Sequence, residues 1–254
     1  MHYRCVQPIR MCVLSILLLP VLRAQEGRVT LSASFGIGVL SLKEIDEDGR
    51  KDIEAYNRLG VPVGGYEPLT YGLGYEGRVD YRTDREISIA LFGRYMRTET
   101  DASFRDSSQS LFLERAISST DFGVDVTYSL PPLMYAAEAA LFVGIGRMTG
   151  YAEQSTRQHH EQKSADTTVS VIDQDAFAEY RKSKLYVRGG VRLAVPLVGP
   201  VWFNASALYK YAPLGTLDGT LREVTLVRPH TTTVEFDFSS IDINVGLSYV
   251  IGSL

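Results

Sequence analysis

The sequence predicts an all-β chain, an eight-stranded antiparallel up-and-down transmembrane β-barrel with short periplasmic turns and four long extracellular loops. Three observations lead there. Eight segments alternate apolar and polar residues with period two, the pattern of strands with one apolar and one polar face. The eight apolar sets hold no charged residue, although 22% of the chain is charged. The connections between segments alternate short and long, as they do around a membrane barrel. No apolar run reaches the ~18 residues of a spanning helix. The formal net charge of −4 gives no basic stripe for nucleic acid.

The first 24 residues stand apart from this pattern. Arg4 and Arg10 precede the apolar run from Met11 to Leu19, Pro20 breaks it, and Leu22-Arg23-Ala24 places a small residue before Gln25. That is the layout of a cleaved signal peptide (1–24), leaving a barrel domain over 25–254. Cleavage removes Arg4, Arg10 and Arg23 but no acid, so the remaining chain is more acidic. Cys5 and Cys12 also leave with it. An exported chain without disulfides must hold together by burial or by a closed hydrogen-bonded sheet.

The segments follow in order. The first apolar set is Val29, Leu31, Ala33, Phe35, Ile37 and Val39. The second is Leu69, Tyr71, Leu73, Tyr75, Gly77, Val79 and Tyr81, and the third Ile87, Ile89, Leu91, Gly93 and Tyr95. Phe122, Val124, Val126 and Tyr128 make the fourth; Tyr135, Ala137, Ala139, Leu141, Val143 and Ile145 make the fifth. The sixth is Leu185, Val187, Gly189, Val191, Leu193 and Val195. The seventh runs from Val201 through Phe203, Ala205, Ala207 and Tyr209 to Tyr211, and the last from Ile241 through Ile243, Val245, Leu247 and Tyr249 to Ile251. A soluble sandwich or barrel would turn these faces inward, whereas a membrane barrel turns them to lipid.

The connections favour lipid. Arg82-Thr83-Asp84-Arg85, Pro131-Pro132 and Pro196-Leu197-Val198-Gly199-Pro200 are the short ones, while 41–68, 98–118, 150–183 and 213–237 are long. A soluble sheet has no reason for that asymmetry. Tyrosines at segment ends suit the two interfacial girdles. With these features the chain resembles the small eight-stranded OmpA/OmpX-type outer-membrane barrels, in architecture over nearly its whole length. The resemblance implies residence in the bacterial outer membrane, contact with outer-membrane lipid or lipopolysaccharide, and delivery by the barrel assembly machinery. The last segment ends Tyr249-Val250-Ile251-Gly252-Ser253-Leu254 rather than on the terminal aromatic residue common in those barrels.

The polar faces supply the candidate site. Glu76, Asp80, Glu86, Asp125, Glu138 and Asp242 alternate with Arg78, Arg94, Arg188, Arg192 and Lys210 in the inward frames. An eight-stranded lumen is just wide enough for its own side chains, and buried charges must pair. The expectation is a salt-bridge network that closes the lumen, with Asp80 and Glu86 nearer water at strand ends. A gated ion path is the sharper alternative.

Other chemistry is thin. Glu44 to Asp52 partly imitates a calcium loop, with Asp46, Asp48 and Asp52 at its third, fifth and ninth positions, but Ala55 occupies the place of the bidentate acid. Ile53, Tyr56 and Leu59, followed by Gly60, instead predict a short helix over the barrel mouth. His159, His160 and His230 all fall in long connections, without a nucleophile motif nearby. No catalytic, metal or cofactor site is expected.

The functional expectation is a non-enzymatic scaffold whose loops meet an unidentified extracellular ligand. A small channel and a membrane-embedded lipid-modifying enzyme stand as alternatives. Leu221-Val224-Leu226 opposite Val234-Phe236-Phe238 predict that the last two strands continue as a hairpin beyond the membrane, with an edge open to strand addition.

Overall fold

The computed structural model describes residues 28–58, 60–82, 86–105, 109–131, 137–163, 169–216, 218–222 and 235–252. The predicted signal peptide lies outside them, as do Tyr135, Val224, Leu226, His230 and Val234.

Eight strands form the ring: β1 (Arg28–Leu40), β2 (Tyr71–Arg82), β3 (Ile87–Arg105), β4 (Gln109–Ser129), β5 (Glu138–Lys163), β6 (Val169–Val198), β7 (Val201–Tyr211) and β11 (Ser240–Ile251). Each pairs antiparallel with its neighbour in sequence. The ring closes where β1 meets β11, from Val29 opposite Ile251 to Leu40 opposite Ser240. Closure removes the edges that an open sheet would leave unpaired.

Alternation then sorts the side chains. Tyr71 is 66% exposed and Val143 64%, and most of the predicted apolar sets share the same outer surface. The residues between them are buried in the lumen, Asp125 and Asp242 fully. An apolar belt around a closed ring is a surface that a bilayer covers and water does not. Leu69 departs from its set. It precedes the first residue of β2 and turns inward, almost fully buried at the mouth. Val29 and Ala139, at the short-turn end, are buried as well.

Most of the long connections prove to be regular structure. Strands β3 and β4 stay paired from Ile87 opposite Tyr128 to Arg105 opposite Ser110. Likewise β5 and β6 pair from Glu138 opposite Ala194 to Lys163 opposite Val169. Two of the predicted loops are therefore strand extensions, which satisfy their backbone groups by the ladder itself. A short strand β9 (Asp218–Arg222) adds to the outer part of β6, with Leu221 opposite Ala178. The projecting wall runs β3-β4-β5-β6-β9. At its other side Gly64 bridges Ser103 in both directions, at 3.0 and 3.3 Å.

The first connection folds as α1 (Lys43–Arg58), longer than the short helix predicted over Ile53, Tyr56 and Leu59. Its end fits the prediction. Gly60 adopts a φ of 83°, the left-handed value that closes a helix, and Val61 N–H donates back to Tyr56 O at 3.0 Å. Two of the calcium-loop acids, Asp46 and Asp52, serve as anchors. Asp46 accepts from Leu69 N–H at 2.8 Å and from the Tyr66 hydroxyl at 3.2 Å, while Asp52 pairs with Arg115 of β4. Burial, reinforced by the Asp46 carboxylate, pushes the Tyr66 phenol up to about 12. Ile53 and Tyr56 of α1 pack with Val63 against Ala102 and Leu111 of the β3–β4 extension.

The predicted outer hairpin is corrected. Short strands β8 (Pro213–Thr216) and β10 (Glu235–Asp237) do pair, but β9 turns away to β6. Phe236 and Phe238 face into the barrel mouth and are buried there. The reason is burial. A hairpin standing in water would expose both rings, whereas the ring of strands leaves an apolar mouth for them to fill.

Orientation can be tested directly. Val126→Arg, Val143→Arg and Val191→Arg should each lose about 2–4 kcal/mol in urea titrations of folding into lipid vesicles, the cost of an arginine at mid-bilayer. Unchanged stability in all three would mean that this face does not meet lipid.

Candidate functional site

The lumen is filled by an apolar plug and, beneath it, three tiers of charge. Nearest the long connections lies an apolar plug. Leu214, Phe236 and Phe238 descend over Leu40, Leu69, Met96, Ile117 and Met148. The Phe236 and Phe238 rings stack at 6.4 Å between centroids. Gly150 gives them room, since a Cβ there would stand 2.6 Å from Leu214 Cδ1.

Beneath the plug sit two ion pairs. Arg94 of β3 pairs with Asp242 of β11, and Lys210 of β7 with Asp121 of β4 at 3.2 Å. All four are buried. Arg94 stands directly opposite Asp121 in the ladder, yet each takes a partner three strands away around the ring. The pairs thus cross the lumen and brace the wall.

The middle tier is a continuous chain of six alternating charges: Glu76, Arg188, Asp125, Arg78, Asp80 and Arg192. Arg188 grips Asp125 with Nε at 3.0 Å and Nη2 at 2.6 Å, and reaches Glu76 with Nη1 at 2.6 Å. Arg78 pairs with the same Asp125 and holds Asp80 at 2.8 Å. Arg192 reaches Asp80 at 3.0 Å and Ser32 Oγ at 2.7 Å. Forked guanidinium–carboxylate geometry of this kind is what offsets desolvation. The Arg188 guanidinium also lies 3.2 Å from the Phe92 ring centroid, a stacked cation on an aromatic face. The carboxylates Asp125 and Asp242 face glycines across the ladder, Gly144 and Gly38. A Cβ at Gly144 would fall 2.0 Å from Asp125 Oδ1 and 2.6 Å from Val124 O, so only glycine leaves this space.

The third tier faces the short turns. Glu138 receives Arg28 at 3.1 Å and Arg82 at 3.0 Å, and its side chain is 35% exposed. It belongs to a rim rather than to the central chain. Glu86 is exposed, just after the first short turn, rather than buried in the central chain. There its carbonyl accepts from Ser129 N–H at 2.6 Å. Asp80, expected nearer water, is instead 7% exposed and shared by two arginines.

Three charged members were missed by sequence reasoning. Asp121 lies in the inward frame of Gly123 and Asp125, and extending that frame two residues past the start of the fourth segment would have found it. Arg82 continues Glu76, Arg78 and Asp80 in the same way, and Arg28 precedes Thr30 and Ser32. His159 and His160 lie in β5, opposite Asp173 and Ile172 of β6; their side chains and all of His230 fall outside the description.

The tiers give a graded expectation. Asp125→Ala leaves Arg78 and Arg188 without their shared acceptor and should cost roughly 3–5 kcal/mol. Glu138→Ala, at the exposed rim, should cost under about 1 kcal/mol. Urea titration of refolded protein measures both, and equal losses would contradict a central network with a wet rim.

No known protein family matches the chain by sequence, and no curated protein does. Solved structures match by shape. The outer-membrane protein OprG of Pseudomonas aeruginosa is 10% identical over 90% of this chain and 98% of its own, with a TM-score of 0.50. A major outer-membrane protein of Thermus thermophilus is 12% identical over 89% of this chain and all of its own, with a TM-score of 0.46. Ail of Yersinia pestis, solved with the heparin analogue sucrose octasulfate, is 13% identical over 89% of this chain and all of its own, with a TM-score of 0.42. The likeness to OprG at this identity is one of fold: the chain has the architecture of an outer-membrane β-barrel.

Proposed function

We propose that this chain is a closed, non-enzymatic barrel of the bacterial outer membrane that carries a surface-exposed binding wall. One observation carries the reading. From the mouth down to the short-turn rim the lumen is filled with paired charges and apolar side chains, while four ring strands, β3 to β6, run on past the apolar belt, joined by β9. A wall held by its own ladder on a rigid barrel is a surface suited to binding, because it loses little conformational freedom when a partner docks. Outer-membrane lipid covers the belt, and an extracellular ligand meets the wall.

A channel would need a continuous aqueous column, for which an eight-stranded lumen packed in this way has no room. In planar bilayers the purified barrel should be nearly silent; steady, ion-selective conductance would replace the scaffold by a channel. Comparing the full chain with one shortened across 151–181 on a panel of immobilised polysaccharides and matrix proteins tests the wall. Selective binding by the full chain alone supports it, and identical profiles reject it.

Sidedness has its own test. The chain has no cysteine beyond Cys12, so single introduced thiols report cleanly. A cysteine at Glu153, in the wall, should react with a membrane-impermeant reagent on intact cells. One at Gly199, in a short turn, should react only after the outer membrane is opened. The reverse result would invert the barrel.

A further inference from the structure

Where β4, β5 and β6 leave the apolar belt toward the wall, their outward faces change chemistry within one step. On β5 the outward order is Ile145, Arg147, Thr149, Tyr151 and Glu153. Arg147 is exposed and stands opposite Phe122 of β4 and Leu185 of β6. Ile145, Phe122 and Leu185 all lie on the exposed surface of the belt. The guanidinium thus emerges from among side chains that lipid covers, and it has no ion pair among the described residues. The next step out is a row of hydroxyls. Thr149 pairs in the ladder with Thr120 on one side and Ser183 on the other, and its Oγ1 lies 2.7 Å from Ser183 Oγ. Only one of those two hydroxyls donates within the pair, so the other keeps a hydrogen for a guest. Arg181 of β6 follows on the far side of the row. It is exposed, stands opposite Asp218 of β9 in the ladder, and lies over the Tyr151 ring, 5.2 Å from the centroid.

We propose that Arg147, with the row of Thr120, Thr149 and Ser183, binds the anionic phosphate headgroup of a membrane lipid. A guanidinium fork beside hydroxyl donors is the donor set that phosphate oxygens take. The apolar flank selects a lipid over a free anion. A ligand that reaches Arg147 also meets Ile145, Phe122 and Leu185, so it carries hydrocarbon next to its charge. The acyl chains lie along those three side chains, and the phosphate accepts from Arg147 and from the hydroxyls above it. An arginine with no site around it would only lift its head out of the hydrocarbon; a built site saturates with one lipid and needs its hydroxyls. The inference rests on lipid covering the belt, which the valine-to-arginine variants test separately.

The barrel is refolded in an uncharged detergent, and its adducts are followed by intact-complex mass spectrometry. Dioctanoyl phosphatidic acid is titrated beside dioctanoylglycerol, which has the same chains without the phosphate, and beside inorganic phosphate, which has no chains. Saturation by one phosphatidic acid, reproduced by neither counterpart, supports the site. Arg147→Gln should weaken that binding roughly ten-fold, about one charge-assisted hydrogen bond. Thr149→Val should weaken it roughly three-fold, about one neutral bond. Arg58→Gln removes the same charge from α1, where the side chain is 81% exposed, and should leave binding unchanged. Heat-dependent gel mobility confirms that the variants fold. Equal binding of phosphatidic acid and dioctanoylglycerol would mean that chains alone are recognised, and saturation by inorganic phosphate at the same concentration that any free anion fits. An Arg58→Gln loss equal to that of Arg147→Gln would reduce the effect to net charge. Each of these results, or a titration that never saturates, would overturn the proposal. Where the valine-to-arginine variants still lose stability, that failure leaves the membrane barrel standing.

Discussion

Charges in a narrow closed lumen must find partners across it, and most of this structure follows from that necessity. An eight-stranded ring has room inside for side chains but not for bulk water. Arg188 and Arg192 therefore reach from β6 to Glu76 and Asp80 on β2, the opposite side of the ring. Asp125 is shared by Arg78 and Arg188, and its carboxylate fits only because Gly144 faces it. The same bonds that satisfy the charges fix the cross-section of the barrel. Stability and closure are then one property, because a residue that left the network would both open space and strand its partner.

The apolar plug solves a different problem at the other end. The ring of strands continues upward as a wall on one side only, so its mouth would present Met96, Ile117 and Met148 to water. Leu214, Phe236 and Phe238 cover them, and α1 docks on the wall through Ile53 and Tyr56. Asp46 and Asp52 hold that helix in place. Acids that imitate a calcium loop in sequence are thus spent on backbone and arginine partners. With the mouth covered and the lumen paired, what projects beyond the apolar belt is the wall of β3 to β6 and β9.

Much of this was legible in the chain. Period-two alternation reports directly on which face each side chain takes, because a strand leaves no other choice. Leu141, Val143 and Ile145 on one face, with Phe142 and Gly144 on the other, need no tertiary information to be sorted. The short–long rhythm of the connections fixed the order of the ring, since neighbouring antiparallel strands pair through short turns. The C-terminus of α1 was visible too, as apolar spacing followed by Gly60.

What the sequence by itself determined is the local layer: eight strands, their inward and outward faces, and the charges that must lie inside. Only the tertiary structure decided who pairs with whom. Arg94 and Asp121 are neighbours in the ladder, and nothing in the sequence says that each would instead cross to Asp242 and Lys210. Likewise the alternation around Phe236 and Phe238 gave a strand but not its destination, which was the mouth rather than a projecting hairpin. The physical reason is one of range. Backbone geometry and hydrophobic period act between residues a few positions apart, whereas ion pairs across a lumen and burial in a mouth depend on distances that exist only once the ring has closed.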